Sequence, residues 1–416
     1  MVSKKKLATP GLTKMSKFVS RLKSNSKIEL CGMDTASNLM DSWRWIDFID
    51  PKTGLPCLML EWLFGCRGML TGRFVKIEAD PGIGKSSYMF LQYGMGQQTS
   101  GAYAIHFESE GAPQPPDYIA AMGCNPDDLG ILQPRSIEEC MSRVEELTYE
   151  MRKDDPDKKY PIILGVDSVS GLGSKNDDEL DLPLEKRTVL ELGGGGAGLA
   201  GHARTLSKWF RDRGCLWLQE FDVLMFATAQ LKDNIVIGGM PGVQLPADQK
   251  KKTIADAVMN FNASYRLRMN SSPLYNKETK TDLGELVKIK VIKNKVSPKN
   301  REIQIPLIRG QGFNFAEATC DWLRYKSPII FKDGTKFEIE QRGAWINCPM
   351  IREKNFASNQ AGKEELMQNL HANTDMVMSL REGLRIRGFG FDFEKTYVPS
   401  KEELEDLTGG VDAVEG

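Results

Sequence analysis

The chain has 416 residues, of which 41% are hydrophobic, and its 55 lysines and arginines nearly balance 56 aspartates and glutamates. These values are typical of a globular protein with a large core, and they exclude a disordered or fibrous chain and one that binds polyanions by net charge alone. No stretch reaches the ~18 uninterrupted apolar residues that a membrane-spanning helix needs, so we expect no membrane partner.

The first 28 residues carry eight basic side chains and no acidic one. Met15, Phe18, Val19 and Leu22 repeat at i, i+3, i+4 and i+7, which predicts a helix with one apolar face. We interpret residues 1–60 as a basic arm and lead-in that packs on a neighbouring subunit or on its own body. The composition of the arm also resembles that of an organellar transit peptide.

Between residues 72 and 230, short apolar runs alternate with amphipathic helical stretches. The predicted strands are 74–79, 103–107, 162–166 and 223–229. Ser136 and Glu139 form a capping box that predicts the start of a helix, and residues 199–213 predict another. This pattern is typical of βαβ units and predicts an α/β fold with a mostly parallel sheet.

After residue 257 the pattern changes to period two, which predicts strands over 286–295 and 301–308 joined by a turn at 297–300. These strands would be antiparallel edge strands of a core spanning 61–319. Residues 320–395, with one helical stretch at 363–384, would form a small C-terminal domain. Residues 396–416 would be an acidic tail.

The eight cysteines lie far apart without a CxxC pair, and the three histidines do not cluster. This spacing disfavours a zinc site and a disulfide framework. We therefore expect free thiols in a reducing compartment, the cytoplasm.

The segment 79–86 reads Ala-Asp-Pro-Gly-Ile-Gly-Lys-Ser and lies between a predicted strand and a predicted helix. This context predicts a P-loop rather than a chance match: backbone N–H groups surround the phosphates, Lys85 reaches the β- and γ-phosphates, and Ser86 binds Mg²⁺. Ala79 replaces the usual first glycine, so the turn must avoid positive φ there or be strained. The predicted phosphate-binding residues are Asp80, Pro81, Gly82, Ile83, Gly84, Lys85, Ser86 and Ser87.

Three acidic residues follow predicted strands at the edge where nucleotides bind in such sheets. Asp167 ends an apolar strand and is a candidate for holding hydrated Mg²⁺ beside Ser86. Glu108 and Glu110 are candidates for the carboxylate that activates the attacking water. The alternative is that all three are ordinary solvated acids at strand ends.

The segments 72–77, 79–86, 166–172 and 287–295, with the partner strand 301–308, resemble the RecA family of DNA strand-exchange ATPases in the same order. The resemblance covers about residues 61–315, and the Lys-Asn-Lys sequence at 293–295 is its most specific part. It implies a RecA-like P-loop NTPase core, and the long arm and loops are more similar to recombinases of large phages.

The resemblance also implies roles for individual residues. ATP and Mg²⁺ would be the cofactors, with Ser86 and Asp167 at the metal. Glu110 would activate water, with Glu108 as the second choice. Tyr118 would stack on adenine, and Gln230 would sense the γ-phosphate.

Lys293 and Lys295 would reach the nucleotide held by the adjacent subunit. Two lysines at i and i+2 of a strand lie ~7 Å apart, and their repulsion favours an anion between them. The alternative is an ordinary basic edge strand.

The resemblance places DNA-binding loops at 174–198 and 231–254. Acidic residues in the first loop would face away from DNA, and the lysine run at 250–252 could also be a solvated surface run. The predicted DNA-binding residues are Gly195, Gly196, Ala197, Gly198, Arg204, Lys232, Lys250, Lys251 and Lys252.

The expected function is an ATP-dependent recombinase that forms helical filaments on single-stranded DNA and exchanges strands with homologous duplex DNA. The resemblance leaves open whether a mediator or a single-strand-binding protein takes part. One alternative is a ring helicase of the same fold, in which Arg301 or Arg309 would reach the neighbouring nucleotide. Another is a nucleotide-gated scaffold that does not process DNA.

Overall fold

The computed structural model describes residues 44–111, 113–173, 197–233, 251–253, 255–276, 279–297, 299–351 and 355–384. The predicted basic arm, most of both predicted DNA loops and the acidic tail lie outside these residues. The chain divides after Arg44, and the residues from Trp45 onward form one compact unit. The boundary at residue 320 between a core and a C-terminal domain stays a prediction.

The strands of the described residues are β1 Trp45–Asp47, β2 Gly68–Leu70, β3 Arg73–Ala79, β4 Tyr103–Glu108, β5 Leu129–Leu132, β6 Ile162–Asp167, β7 Val223–Gln230, β8 Lys232–Asp233, β9 Lys251–Lys252, β10 Tyr265–Tyr275, β11 Asp282–Asn294, β12 Glu302–Ile308, β13 Gly312–Phe313, β14 Ile329–Ile330, β15 Lys336–Phe337, β16 Glu340–Arg342, β17 Trp345–Asn347 and β18 Asn355–Ala357. The helices are α1 Leu58–Phe64, α2 Lys85–Ser100, α3 Pro116–Ala121, α4 Ile137–Asp154, α5 Ala197–Asp212, α6 Gly214–Glu220, α7 Asp256–Asn262, α8 Phe315–Lys326, α9 Gln360–His371 and α10 Thr374–Gly383. No helix of the described residues is both long enough and apolar enough to cross a membrane.

A nine-stranded mixed sheet in the order β13-β12-β11-β10-β3-β7-β6-β4-β5 organises the protein. The strands from β10 to β5 are parallel to their neighbours, and β11, β12 and β13 pair antiparallel. The predicted α/β fold with antiparallel edge strands is therefore confirmed. Sequence analysis missed β10, in which the apolar alternation lasts only from Tyr265 to Met269 and Pro273 follows.

Helices cover both faces of the sheet, and successive strand residues contribute to different cores. On β3, Phe74 packs in one hydrophobic cluster, and Val75 and Ile77 pack in the other. The capping box at α4 forms with one change. Ser136 Oγ accepts from Glu139 N at 3.2 Å as expected, but Glu139 Oε2 accepts from Arg135 N rather than from Ser136 N. Because β10, β3, β7, β6, β4 and β5 run parallel, their carboxyl ends lie at one edge of the sheet.

The prediction of a single helical stretch over 363–384 is wrong. Two helices, α9 and α10, occupy this region, because the Asn373 side chain caps a new helix by accepting from Met376 N at 3.0 Å. Arg381 on α10 donates to both carboxylate oxygens of Glu61 on α1, at 2.7 and 2.9 Å, and both side chains are buried. This pair ties the last described helix to the first.

Buried His371 gives the protein a pH-dependent stability. The side chain lies on α9 with 1% exposure, and burial, aided by nearby Arg381, lowers its pKa from 6.5 to about 3. Between these values the unfolded chain binds one more proton than the folded protein. The free energy of unfolding therefore decreases as the pH is lowered, by up to ~1.4 kcal/mol per pH unit. We expect His371→Leu to flatten this dependence between pH 6 and 4 in urea titrations. Equal slopes for the two proteins would contradict the assignment.

Candidate active site

The P-loop connects β3 to α2 as its sequence predicts. The left-handed conformation falls on Gly82, with φ +76°, and Gly84, with φ +82°. Ala79 is the last residue of β3 and keeps a negative φ, so the turn avoids the strain that a non-glycine residue would suffer there. Alanine at the first motif position is therefore compatible with the phosphate-binding turn.

The P-loop forms one wall of a cleft of about 340 Å³. Other walls come from the ends of β6 and β7, the segment after β4, helix α3, and strands β11 and β12. The lining residues are Pro81, Gly82, Ile83, Gly84, Lys85, Ser86, Ser87, Glu110, Gln114, Tyr118, Met122, Asp167, Gln230, Gly284, Glu285, Leu307, Ile308, Arg309 and Gly310. Most of the predicted nucleotide-site residues thus surround one cavity, and Asp80 lies next to it in the turn.

Lys85 is the cation of the P-loop in this cleft. Its ammonium donates to the backbone carbonyl of Asp80 at 2.9 Å. Burial lowers the pKa of Lys85, and the carboxylates of Asp167 and Glu110 oppose that shift. An ammonium that is partly desolvated in this way interacts strongly with an incoming phosphate.

Ser86 and Asp167 form an oxygen-rich corner beside Lys85. Ser86 Oγ donates to Asp167 Oδ2, and Thr228 Oγ1 on β7 donates to Asp167 Oδ1. Asp167 is only 4% exposed. Hydroxyl and carboxylate oxygens are the ligands that Mg²⁺ prefers, so this corner suits the metal. Thr228 was missed, because a threonine within an apolar strand gives no signal in sequence.

Glu110 and Gln230 meet in the cleft although 120 positions separate them in sequence. Gln230 Nε2 donates to Glu110 Oε1 at 2.9 Å, and Ser168 Oγ donates to the same oxygen at 3.0 Å. The exposed Glu110 carboxylate therefore faces the end of the sheet where Asp167 and Gln230 emerge.

Glu108 occupies a different environment from Glu110. It is buried at the end of β4, and its carboxylate accepts from Glu110 N at 2.6 Å. Burial opposes ionisation, but the His106 ring, whose Nε2 lies 3.6 Å from Glu108 Oε2, and the hydrogen bond from Glu110 N lower the pKa of Glu108 below 4.5. Glu108 does not line the cleft, and its contacts fix the backbone that carries Glu110.

Tyr118 projects from α3 into the cleft, where its hydroxyl contacts Ser87 Oγ at the start of α2. Its ring packs edge-on against Phe90 at a centroid distance of 6.4 Å. These contacts hold the ring beside the P-loop, a position that suits stacking on a base.

Lys293 and Lys295 lie at the end of β11, outside the cleft of their own chain. Lys293 Nζ donates to the carbonyls of Asn260 and Phe261, at 2.7 and 2.9 Å, and so binds the C-terminal end of α7. Burial, followed by repulsion from Lys295, lowers the pKa of Lys293. Lys295 is exposed. The two cations are close enough to repel one another, and their role at the nucleotide of an adjacent subunit stays a prediction.

The predicted DNA-binding residues are only partly described. Gly195, Gly196 and Lys250 lie outside the described residues, whereas Ala197 and Gly198 begin α5, and Arg204 on α5 is exposed. Strands β8 and β9 pair Lys232 with Lys252 and Asp233 with Lys251 across the base of the second loop. Opposed lysines repel one another, whereas the neighbouring pair of Asp233 and Lys251 joins opposite charges.

The backbone turn before α7 is strained. Ala255, the residue before α7, adopts φ +52°. This conformation costs an alanine strain that a glycine would not incur.

The two arginines considered for a ring helicase make contacts within their own chain. Arg301 donates to the Trp62 carbonyl, and its guanidinium lies over the Trp62 ring at 5.1 Å. Arg309 Nη2 donates to Asp282 Oδ2 at 2.7 Å and lines the cleft of its own subunit. Neither contact favours a role at a neighbouring nucleotide.

Comparisons with known proteins identify the family of the chain. A family model described as the RecA N-terminal domain matches residues 51–314, more than half of the chain. Protein RecA of Porphyromonas gingivalis is 26% identical over 329 residues, which cover 78% of this chain and 83% of that protein. Protein RecA of Bacillus pumilus is 25% identical over 84% of this chain and 87% of its own length, and that of Synechocystis sp. is 26% identical over 76% and 77%. With the P-loop, the mixed sheet and this match in place, the chain belongs to the RecA family of recombinases.

Proposed function

We propose that this protein is a DNA-dependent ATPase that assembles as a helical filament on single-stranded DNA and promotes pairing and strand exchange with homologous duplex DNA. ATP binds in the P-loop cleft together with Mg²⁺. The partners are single-stranded DNA, a homologous duplex and further copies of the chain. Family membership and the geometry of the cleft support this proposal.

The contact between Glu110 and Gln230 carries the proposal. It joins a carboxylate that can activate water to the last residue of β7, within the cleft that contains the P-loop. The chain continues from Gln230 through Leu231 into β8, the first strand of the second predicted DNA loop. A ligand that separates Glu110 from Gln230 would therefore act directly on the start of that loop.

The positions of the side chains support a hydrolysis mechanism. The backbone of the P-loop and Lys85 would hold the β- and γ-phosphates, and the oxygens of Ser86 and Asp167 would hold Mg²⁺, which when bound would neutralise charge that develops on the phosphates. Glu110 would accept a proton from the attacking water as its oxygen bonds to the γ-phosphorus, while the bond to the bridging oxygen breaks and ADP leaves. Gln230, released from Glu110, would donate a hydrogen bond to the γ-phosphate.

Electron microscopy with single-stranded DNA and a slowly hydrolysed ATP analogue tests the assembly. We expect open helical filaments that require both DNA and nucleotide. Closed rings would support the helicase alternative. Absence of stimulation of ATP turnover by single-stranded DNA would support the scaffold alternative.

Replacing Lys293 and Lys295 by alanine tests the contact with the adjacent subunit. We expect DNA-stimulated ATP turnover to be lost, because the nucleotide at the subunit boundary loses two positive charges, while ATP binding by the monomer persists. Turnover with saturating single-stranded DNA and nucleotide binding without DNA are the two measurements.

The control is Lys290→Ala on the same strand, where the lysine is half-exposed and lies 4.0 Å from Glu302. It removes one charge from β11 and should leave DNA-stimulated turnover unchanged. Because Lys293 also binds the end of α7, Lys295→Ala alone should lower turnover without lowering the melting temperature. Wild-type turnover in the double variant would refute the role at the subunit boundary.

A further inference from the structure

One wall of the nucleotide cleft contains a carboxylate that the hydrolysis chemistry does not use. Glu285 on β11 lines the cleft, opposite Leu307 of β12 in the strand register. This wall approaches the P-loop closely, since a Cβ added to Gly84 would lie 3.0 Å from Leu307 Cδ2. Glu285 thus belongs to the surface that a nucleotide bound at the P-loop would face.

Glu285 Oε2 is buried and has no hydrogen-bond partner among the described residues. Buried polar atoms in folded proteins nearly always have a partner, because burial without one costs free energy. Two of the nearby lining side chains donate elsewhere, Arg309 to Asp282 and Gln230 to Glu110. A ligand that fills the cleft can supply the donor that Glu285 Oε2 lacks.

The chemistry of the carboxylate selects the part of the nucleotide that it contacts. Triphosphate oxygens offer no N–H or O–H donor at neutral pH, and their charge repels a carboxylate. The nucleoside offers ribose hydroxyls and the exocyclic amine of the base. A carboxylate in this wall therefore fits the nucleoside and not the phosphates.

We propose that Glu285 determines nucleotide specificity by accepting a hydrogen bond from a ribose hydroxyl or from the amine of the base. This inference rests on the proposed function, in which ATP occupies the cleft. The arrangement of the wall is compatible with it, since Arg309 Nη2 donates to Asp282 Oδ2 at 2.7 Å. Tyr118, on α3, provides the ring for stacking.

Calorimetric titration of the full-length protein with ATP, 2′-deoxy-ATP, 3′-deoxy-ATP and inosine triphosphate tests the proposal. We expect wild type to bind one analogue about tenfold more weakly than ATP, because that analogue lacks the donor. Weak binding of a deoxy analogue identifies a ribose hydroxyl, and weak binding of inosine triphosphate identifies the amine. In Glu285→Ala this preference should disappear, with the affinity for ATP lowered to that of the analogue.

Two further variants separate the possible failures. Glu302→Gln changes an exposed carboxylate on β12 and should keep the wild-type preference. Lys85→Ala should abolish binding of all four nucleotides. If wild type binds all four within twofold, or if Glu285→Ala keeps the preference, the inference on Glu285 is wrong although ATP binding stands. If wild type fails to bind ATP, the proposed function itself is wrong.

Discussion

Glu110→Gln lowers DNA-stimulated ATP turnover by about 10²- to 10⁴-fold, the usual contribution of a positioned general base. The Glu110 carboxylate lies in the cleft and already contacts Gln230 at 2.9 Å. Glutamine keeps the size of the side chain but cannot accept the proton of the attacking water. Steady-state phosphate release measures turnover, and ATP affinity and melting temperature should stay near the wild-type values.

Glu108→Gln is the matched control, since it changes the other candidate carboxylate of the same segment. Glu108 is buried and accepts from Glu110 N at 2.6 Å, so its loss should lower the melting temperature and lower turnover less than the loss of Glu110. If Glu108→Gln abolishes turnover in a stably folded protein and Glu110→Gln does not, the assignment of the base is reversed.

A buried cluster of charges connects β3 to α7 and β10. Lys76 Nζ lies 3.0 Å from Glu78 Oε2 and 2.6 Å from Asp256 Oδ1, and Lys76 and Glu78 are at most 1% exposed. Arg268 Nε donates to Glu78 Oε1 at 2.9 Å, and Arg266 lies 3.2 Å from Glu78 Oε2. Glu78 thus contacts one buried cation, Lys76, and two partly exposed arginines.

Glu78→Ala should lower the free energy of unfolding by ~3 kcal/mol, because buried Lys76 keeps only Asp256 as a carboxylate partner and two partly exposed arginines lose theirs. Urea denaturation at neutral pH measures the loss. The control Glu302→Ala removes an exposed carboxylate that pairs with Lys288, and it should cost less than ~1 kcal/mol. Equal losses in the two variants would show that the cluster does not stabilise the fold.

The same cluster predicts how that loss changes with pH. Burial opposes ionisation of Glu78, but Lys76, Arg266 and Arg268 outweigh it and lower its pKa below 4.5. A carboxylate with a lowered pKa in the folded state contributes stability above the unfolded pKa and loses it as the pH falls through the folded pKa. The difference between wild type and Glu78→Ala should therefore be largest near neutral pH and shrink in acid.

The P-loop turn and the position of Asp167 at a strand end were predictable because both depend on contiguous segments. Strand, glycine-containing turn and helix follow one another over 74–86, and Asp167 directly ends an apolar run. Both depend on local backbone geometry, which local sequence specifies. Thr228 and Glu285 were not predictable, since their positions in the site depend on strand neighbours from distant parts of the chain.

The sequence by itself determined the α/β class, the phosphate-binding turn, the antiparallel edge strands and the family, because hydrophobic period and turn residues act over a few positions. Only the tertiary structure decided that Glu110 rather than Glu108 enters the cleft. Strand β4 ends at Glu108, whose buried carboxylate accepts a hydrogen bond from Glu110 N. It also decided that the side chains of Lys76 and Glu78 are buried. In the sequence these two residues alternate with apolar ones, a pattern that does not indicate buried charges. Such outcomes depend on which distant side chains meet across the sheet, and pairing between remote segments leaves no local pattern.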